Sequence, residues 1–103
     1  MASMRLDLTA VRCPDALLKA RKGIQTLLAS TQSELQILAI EPSLSRDLPY
    51  AIEHNDWAVS IVEEWCDVPS SIQERWKRLI EEGEEGLFSD ITKIRLFLIK
   101  RTH

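Results

Sequence analysis

Five consecutive residues, Arg12, Cys13, Pro14, Asp15 and Ala16, hold the side chains whose types and spacing point most directly to chemistry. A thiolate is the nucleophilic form of cysteine. It is favoured where unsatisfied backbone N–H groups and the positive end of a helix dipole converge. A proline directly after the cysteine can open a helix at no cost in hydrogen bonds, because the first N–H groups of a helix have no intrahelical acceptor. Arg12 adds an adjacent cation, whereas Asp15 in the first turn suits the dipole but opposes a nearby thiolate. Cys13 is therefore either an activated thiol at a strand-to-helix turn or a small, half-buried residue of that turn.

The other candidates carry less. Cys66 follows Trp65 at the end of a strand pattern and reads as a packed cysteine rather than a second sulfur site. His54 and His103 are the only histidines, and no spacing among them and the cysteines fits a zinc site, so neither metal nor cofactor is expected. Arg46 and Asp47 either orient the loop around Cys13 and meet a partner, or form an ordinary surface pair worth little. Trp57, Trp65 and Trp76 read as core and cover, because the charge around them is acidic where a base-stacking platform would be basic. The acidic run Glu81 to Glu85 reads as a solvated helix end, with a docking surface for a basic partner as the sharper alternative.

The elements that must position these residues follow from periodicity. Met4 to Leu8 alternates as a half-buried strand. From Pro14 the period changes to that of a helix, with Leu17, Ala20, Ile24, Leu27 and Leu28 inward and Lys19, Lys22 and Gln25 outward. Gly23 inside it costs about 1 kcal/mol relative to alanine, so either something packs close there or it is a tolerated defect. After the polar break at Ser30 to Ser33, Leu35 to Ile40 is apolar on nearly every residue, as a strand covered on both faces would be. Ser43 or Ser45 can cap a second helix through about His54, with Leu48, Ala51 and Ile52 inward and Pro49 in its first turn or just after a kink.

Trp57 to Trp65 alternates as a third strand, broken by Cys66 to Pro69. Ser71 and Glu74 form a capping-box pattern ahead of Ile72, Trp76, Leu79 and Ile80, which predicts a third helix ending near Gly83. The acidic segment Glu84 to Asp90 leads to a last strand, Ile91 to Lys100, apolar on both sides at its centre. The order β, α, β, α, β, α, β predicts an α/β (α+β) two-layer sandwich on a four-stranded mixed sheet. The apolar residues on both faces of the second and last strands ask for a further cover. The third helix has the stripe to supply it, and a second copy of the chain in a weak homodimer is the alternative.

At 103 residues, 45% hydrophobic and 28% charged, the chain has the length and composition of one domain with its own core, residues 1–103. A net charge of -3 gives no reason to expect direct binding to nucleic acid. Charge is uneven: residues 1–30 hold five Lys/Arg against Asp7 and Asp15, whereas residues 61–90 hold nine acids against Arg75, Lys77 and Arg78. No apolar run approaches the roughly 18 residues of a membrane span, and Met1 to Met4 does not open a secretion signal, so a cytoplasmic protein is expected.

Leu6 to Ala10 followed by Arg12, Cys13 and Pro14, then Ala20, Arg21 and Lys22, then Ile37 to Pro42 and Ser45, Arg46, Asp47, Leu48 and Pro49 resembles the TusA-like sulfur-carrier family, also called SirA-like. The resemblance covers about residues 6–54 and extends to the last strand. Family members show a Cys-Pro-x-Pro motif at the start of the first helix and an Arg-Asp-Ile/Leu-Pro segment in the second. The resemblance implies a persulfide-carrying cysteine at Cys13, with Arg12, Pro14, Arg46 and Asp47 as supporting motif residues. It implies transfer of sulfane sulfur from a cysteine desulfurase or another sulfurtransferase to an acceptor protein, for instance toward thiolation of transfer RNA or cofactor assembly. Two departures stand out: Ala16 occupies the place of the second motif proline, and residues 66–90 look like an insertion that the short members lack. A binding or regulatory module that kept the fold and lost transfer is the alternative.

Overall fold

A computed structural model of the chain describes residues 3–11, 14–81, 83, 91 and 93–102. Seven elements follow in the expected order: β1 (Ser3–Leu8), α1 (Asp15–Leu28), β2 (Glu34–Ala39), α2 (Leu44–His54), β3 (Val59–Asp67), α3 (Ser70–Glu81) and β4 (Lys93–Arg101). The strands form one mixed sheet in the order β1-β2-β4-β3. β1 runs parallel to β2, and β4 is antiparallel to both β2 and β3. The two strands that are apolar on both faces, β2 and β4, are thus the two central ones.

Alternation along the strands sends apolar side chains to two clusters. Leu35, Ile37 and Ala39 of β2 and Phe97 and Ile99 of β4 join Leu8, the inner faces of α1 and α2, and Val59. Leu38 and Ile40 project the other way, where Ile72 and Trp76 of α3 close over them together with Val68 and Ile94. The third helix therefore supplies the second cover that the pattern asks for, over one end of that face. The row formed in register by Gln36, Leu98 and Val62 lies outside that cluster. At its C-terminal end α1 is fastened by Arg101, whose Nη1 donates to the carbonyls of Leu27, Ser30 and Gln32. A cation there also complements the negative end of the helix dipole.

Side chains do pack close to Gly23: a Cβ there would stand 3.1 Å from Leu6 Cδ2 and 3.4 Å from Leu35 Cδ2, so Leu6 would have to shift by a few tenths of an ångström to admit one. Other expectations shift. β3 continues through Cys66 and Asp67, which pair with Ile94 and Lys93, because of the residues expected to break the strand only Pro69 lacks an N–H for the ladder. Trp65 is not core but 57% exposed: it lies on the edge strand β3, on the face of Val59 and Ile61 but beyond the cluster that they join, and Arg95 lies 4.2 Å over its ring. α3 begins at Ser70, which places Ser71 inside the first turn rather than at the cap. Ile80 is exposed because the cluster beneath α3 ends with Leu79.

Pro49 falls in the second turn of α2, on its exposed side, where the one lost bond is to the carbonyl of Ser45. Among the described residues, no helix is long and apolar enough to cross a membrane.

Candidate functional site

Parallel pairing of β1 with β2 brings both following helices to the same end of the sheet. β1 and β2 end side by side, with Leu8 opposite Ala39, and the chain leaves each to start α1 and α2 from that edge. Two of the predicted site residues, Arg12 and Cys13, lie outside the described residues. Their flanks are placed. Val11 N donates to Leu8 O at 3.1 Å, turning the chain at the end of β1, and Pro14 caps α1 with helical dihedrals (φ -82°, ψ -10°). The first helical bond runs from Leu18 N to Pro14 O at 3.2 Å, and no side chain caps the helix. The N–H groups of Asp15, Ala16 and Leu17 thus precede the helical ladder, at its positive end.

Ala16 is 0% exposed and belongs to the core beside Ala20 and Leu48. The helical stripe drawn from sequence began one residue later, at Leu17, which is only partly buried. A small residue in a motif position gave no apolar signal strong enough to mark it.

Arg46 and Asp47 sit on the first turn of α2. Arg46 Nε lies 3.1 Å from Asp47 Oδ1, and the arginine side chain is 81% exposed. A contact between neighbouring residues with one partner in water contributes little to stability. Asp47 does more as part of a cleft of about 290 Å³ between α1 and α2, shared with Leu17, Arg21, Tyr50, Ala51, His54 and Asn55. Tyr50 and His54 stack there with ring centroids 5.4 Å apart. Sequence reasoning left Tyr50 and His54 out of the site. The available signal was the spacing of Asp47, Tyr50, Ala51 and His54, which places all four on one helical face.

On the other side of the turn, α3 reaches the end of β1. Thr9, 0% exposed, donates through its N–H and hydroxyl to Asp7 Oδ1 at 2.9 and 2.5 Å. Arg75 Nη2 donates to Asp7 Oδ2 at 2.6 Å and to Thr9 Oγ1 at 2.7 Å. Trp76 Nε1 donates to the Thr9 carbonyl at 3.0 Å. Burial by itself would raise the Asp7 pKa. The Thr9 hydroxyl and N–H and the Arg75 guanidinium outweigh it and hold the carboxyl below its ordinary 3.8.

Cys66 is a free, partly buried cysteine on β3 that packs against the cluster under α3, away from the α1 side of the sheet. Trp57 packs against the first core cluster and Trp76 within the second, in keeping with core and cover. Comparison with known proteins adds no relative: no family model, no curated protein and no solved structure matches the chain.

Proposed function

We propose that the chain is a sulfur carrier in which Cys13 accepts and relays sulfane sulfur as a persulfide. The observation that carries this reading is the placement of Pro14 at an α1 N-terminus with no side-chain cap, directly after the turn that ends β1. Together with the resemblance in residues 6–54, it supports the reading, because Cys13 directly precedes Pro14 in the sequence and the free N–H groups of a helix N-terminus can favour an anionic sulfur. The exchange needs no cofactor. The Cys13 thiolate attacks the outer sulfur of a donor persulfide, the donor S–S bond breaks, and its electron pair leaves on the donor thiolate. Cys13 then carries an S–S⁻ group, and attack by an acceptor thiolate on its outer sulfur regenerates the Cys13 thiolate. The overall step transfers one sulfur atom without net oxidation.

The α1–α2 cleft adjoins this end of the fold and offers a partner Arg21 and Asp47 together with the stacked Tyr50 and His54. A donor such as a cysteine desulfurase and a downstream acceptor protein are the partners this chemistry requires, in the cytoplasm.

The test is incubation with a low-molecular-weight persulfide followed by intact mass measurement. Wild type and Cys66→Ser gain one sulfur atom that a thiol reductant removes, and Cys13→Ser does not. Absence of any labile sulfur on wild type sinks the reading and favours a binding module of the same fold.

A further inference from the structure

We propose that the outer edge of β1, with the groove between it and α1, docks an extended acidic segment of a partner protein, which adds to the sheet beside β1. β1 is an edge strand, and β2 is its one neighbour among the described residues. Alternate N–H and C=O groups along β1 therefore point away from the sheet with no strand to meet. Beside this edge lies an open groove of about 320 Å³. Its floor is apolar, made by Met4, Leu6 and Leu35, and the exposed Lys19 and Lys22 line its α1 side. Arg5 lines it too, although strand alternation sends its Cβ to the α3 face together with Asp7. The groove thus follows the strand edge itself.

Charge selects the occupant. The groove is lined by Arg5, Lys19 and Lys22 and by no acid, and among the described residues none of these cations is paired with a carboxylate. On a chain of net charge -3, such a cluster complements carboxylates. A second copy meeting this edge across a two-fold axis would set the cations against themselves. No aromatic residue lines the groove for a base to stack on. An acyl chain leaves the outward N–H and C=O groups of β1 without partners, whereas an extended peptide satisfies them and lays alternate side chains on the apolar floor. Gly23 fits the same use. It lies inside a regular helix and Leu6 could shift to admit a Cβ, so neither conformation nor packing requires glycine there. It lines the groove, and a side chain in its place would take up that space.

The test is fluorescence anisotropy of a labelled peptide, Glu-Val-Glu-Leu-Glu-Val-Glu, with the full chain at low ionic strength. Wild type binds it, releases it as salt is raised, and does not bind the same peptide with lysine in place of glutamate. Lys19→Glu combined with Lys22→Glu, both at exposed positions, weakens binding by about tenfold, as the loss of two rim pairs implies. Gly23→Ala weakens it by about fourfold, the value of one CH₂ of apolar contact, with no loss of stability in urea. Of two peptides N-methylated at alternate residues, on the glutamates or on Val and Leu, one loses binding and the other keeps it, because a single edge of an added strand bonds to β1. Equal binding of the lysine peptide or of both methylated peptides overturns the proposal, as does an affinity that the double lysine variant leaves unchanged. A wild type that leaves the acidic peptide free, whether it binds phosphatidylserine vesicles, forms dimers in light scattering or does neither, overturns it as well. None of these readouts depends on Cys13, so sulfur loading is decided separately.

Discussion

Replacing Ala16 by proline would complete the Cys-Pro-x-Pro pattern that this stretch resembles, and the structure sets its consequence. The backbone does not object strongly: Ala16 precedes the first helical bond, Leu18 N to Pro14 O, so its N–H serves no helical acceptor. A fixed φ would even stabilise by about 0.4–1 kcal/mol through the unfolded chain. Against this, Ala16 is 0% exposed and enclosed by the core that includes Ala20 and Leu48, so two added ring carbons have no free volume. Overpacking of this kind costs about 1–3 kcal/mol, and the proline also disfavours the helical conformation of Asp15. The balance is a loss of about 1–2 kcal/mol, or a Tm lower by about 5–15 °C for a chain of this size.

Thermal and urea unfolding of Ala16→Pro beside wild type reads this directly, with Ala16→Ser as a control that adds one atom only. An Ala16→Pro variant at least as stable as wild type would refute the packing argument. Sulfur loading measured on the folded variant then separates two roles of the motif proline. Unchanged loading per folded molecule means that Ala16 is a packing solution of this core rather than damage to the site.

Two further substitutions test the same reasoning elsewhere. Gly23→Ala gains up to about 1 kcal/mol of helix propensity but brings a methyl to 3.1 Å from Leu6 Cδ2. Leu6 borders an apolar groove of about 320 Å³ with Met4 and Leu35 and can yield by the few tenths of an ångström needed, so urea unfolding should show a net gain of about 0.5 kcal/mol; a loss would mean that β1 is held too rigidly to move. Asp7→Asn tests the charge at the end of β1. The Asp7 pKa is depressed by folding, so its contribution is present above the unfolded value of 3.8 and is lost as pH falls through the lower folded value. The stability deficit of Asp7→Asn should therefore be largest near about pH 7 and contract by about pH 3, and a deficit that stays constant over that range contradicts the assignment.

Much of the fold was legible because the strands differ in how they are buried. Leu35 to Ile40 and the centre of β4 are apolar on both sides, and these are the central strands; β1 and β3 alternate, and these are the edges. Alternation does not say where a cover stops, so it places Trp65 with the core, whereas the cluster under α1 and α2 takes in Val59 and Ile61 of β3 and not Trp65. At the site, Pro14 and the pair Arg46 and Asp47 were visible as residue types in a motif, whereas Ala16 was hidden by its size. The contacts of Asp7 and Thr9 with Arg75 and Trp76 had no local signature at all. They depend on where α3 lands, and pattern within a window of sequence carries no information about a partner more than 60 positions away.

The placement of α3 explains how such contacts can exist without disturbing the sheet. β3 and β4 pair along their whole length, from Val59 opposite Arg101 to Asp67 opposite Lys93. The chain therefore leaves the sheet at Asp67 and returns at its partner, Lys93. Topologically, the connection could be a short hairpin and the sheet would keep its order and register. What requires the longer excursion is the other face: Leu38, Ile40 and Ile94 are buried only because Ile72 and Trp76 lie over them. Apolar choices on β2 and β4 and the stripe on α3 make sense only together. Once α3 lies across that end of the sheet, the indole of Trp76 and the guanidinium of Arg75 meet the last residues of β1, and the chain reaches Cys13 four residues later.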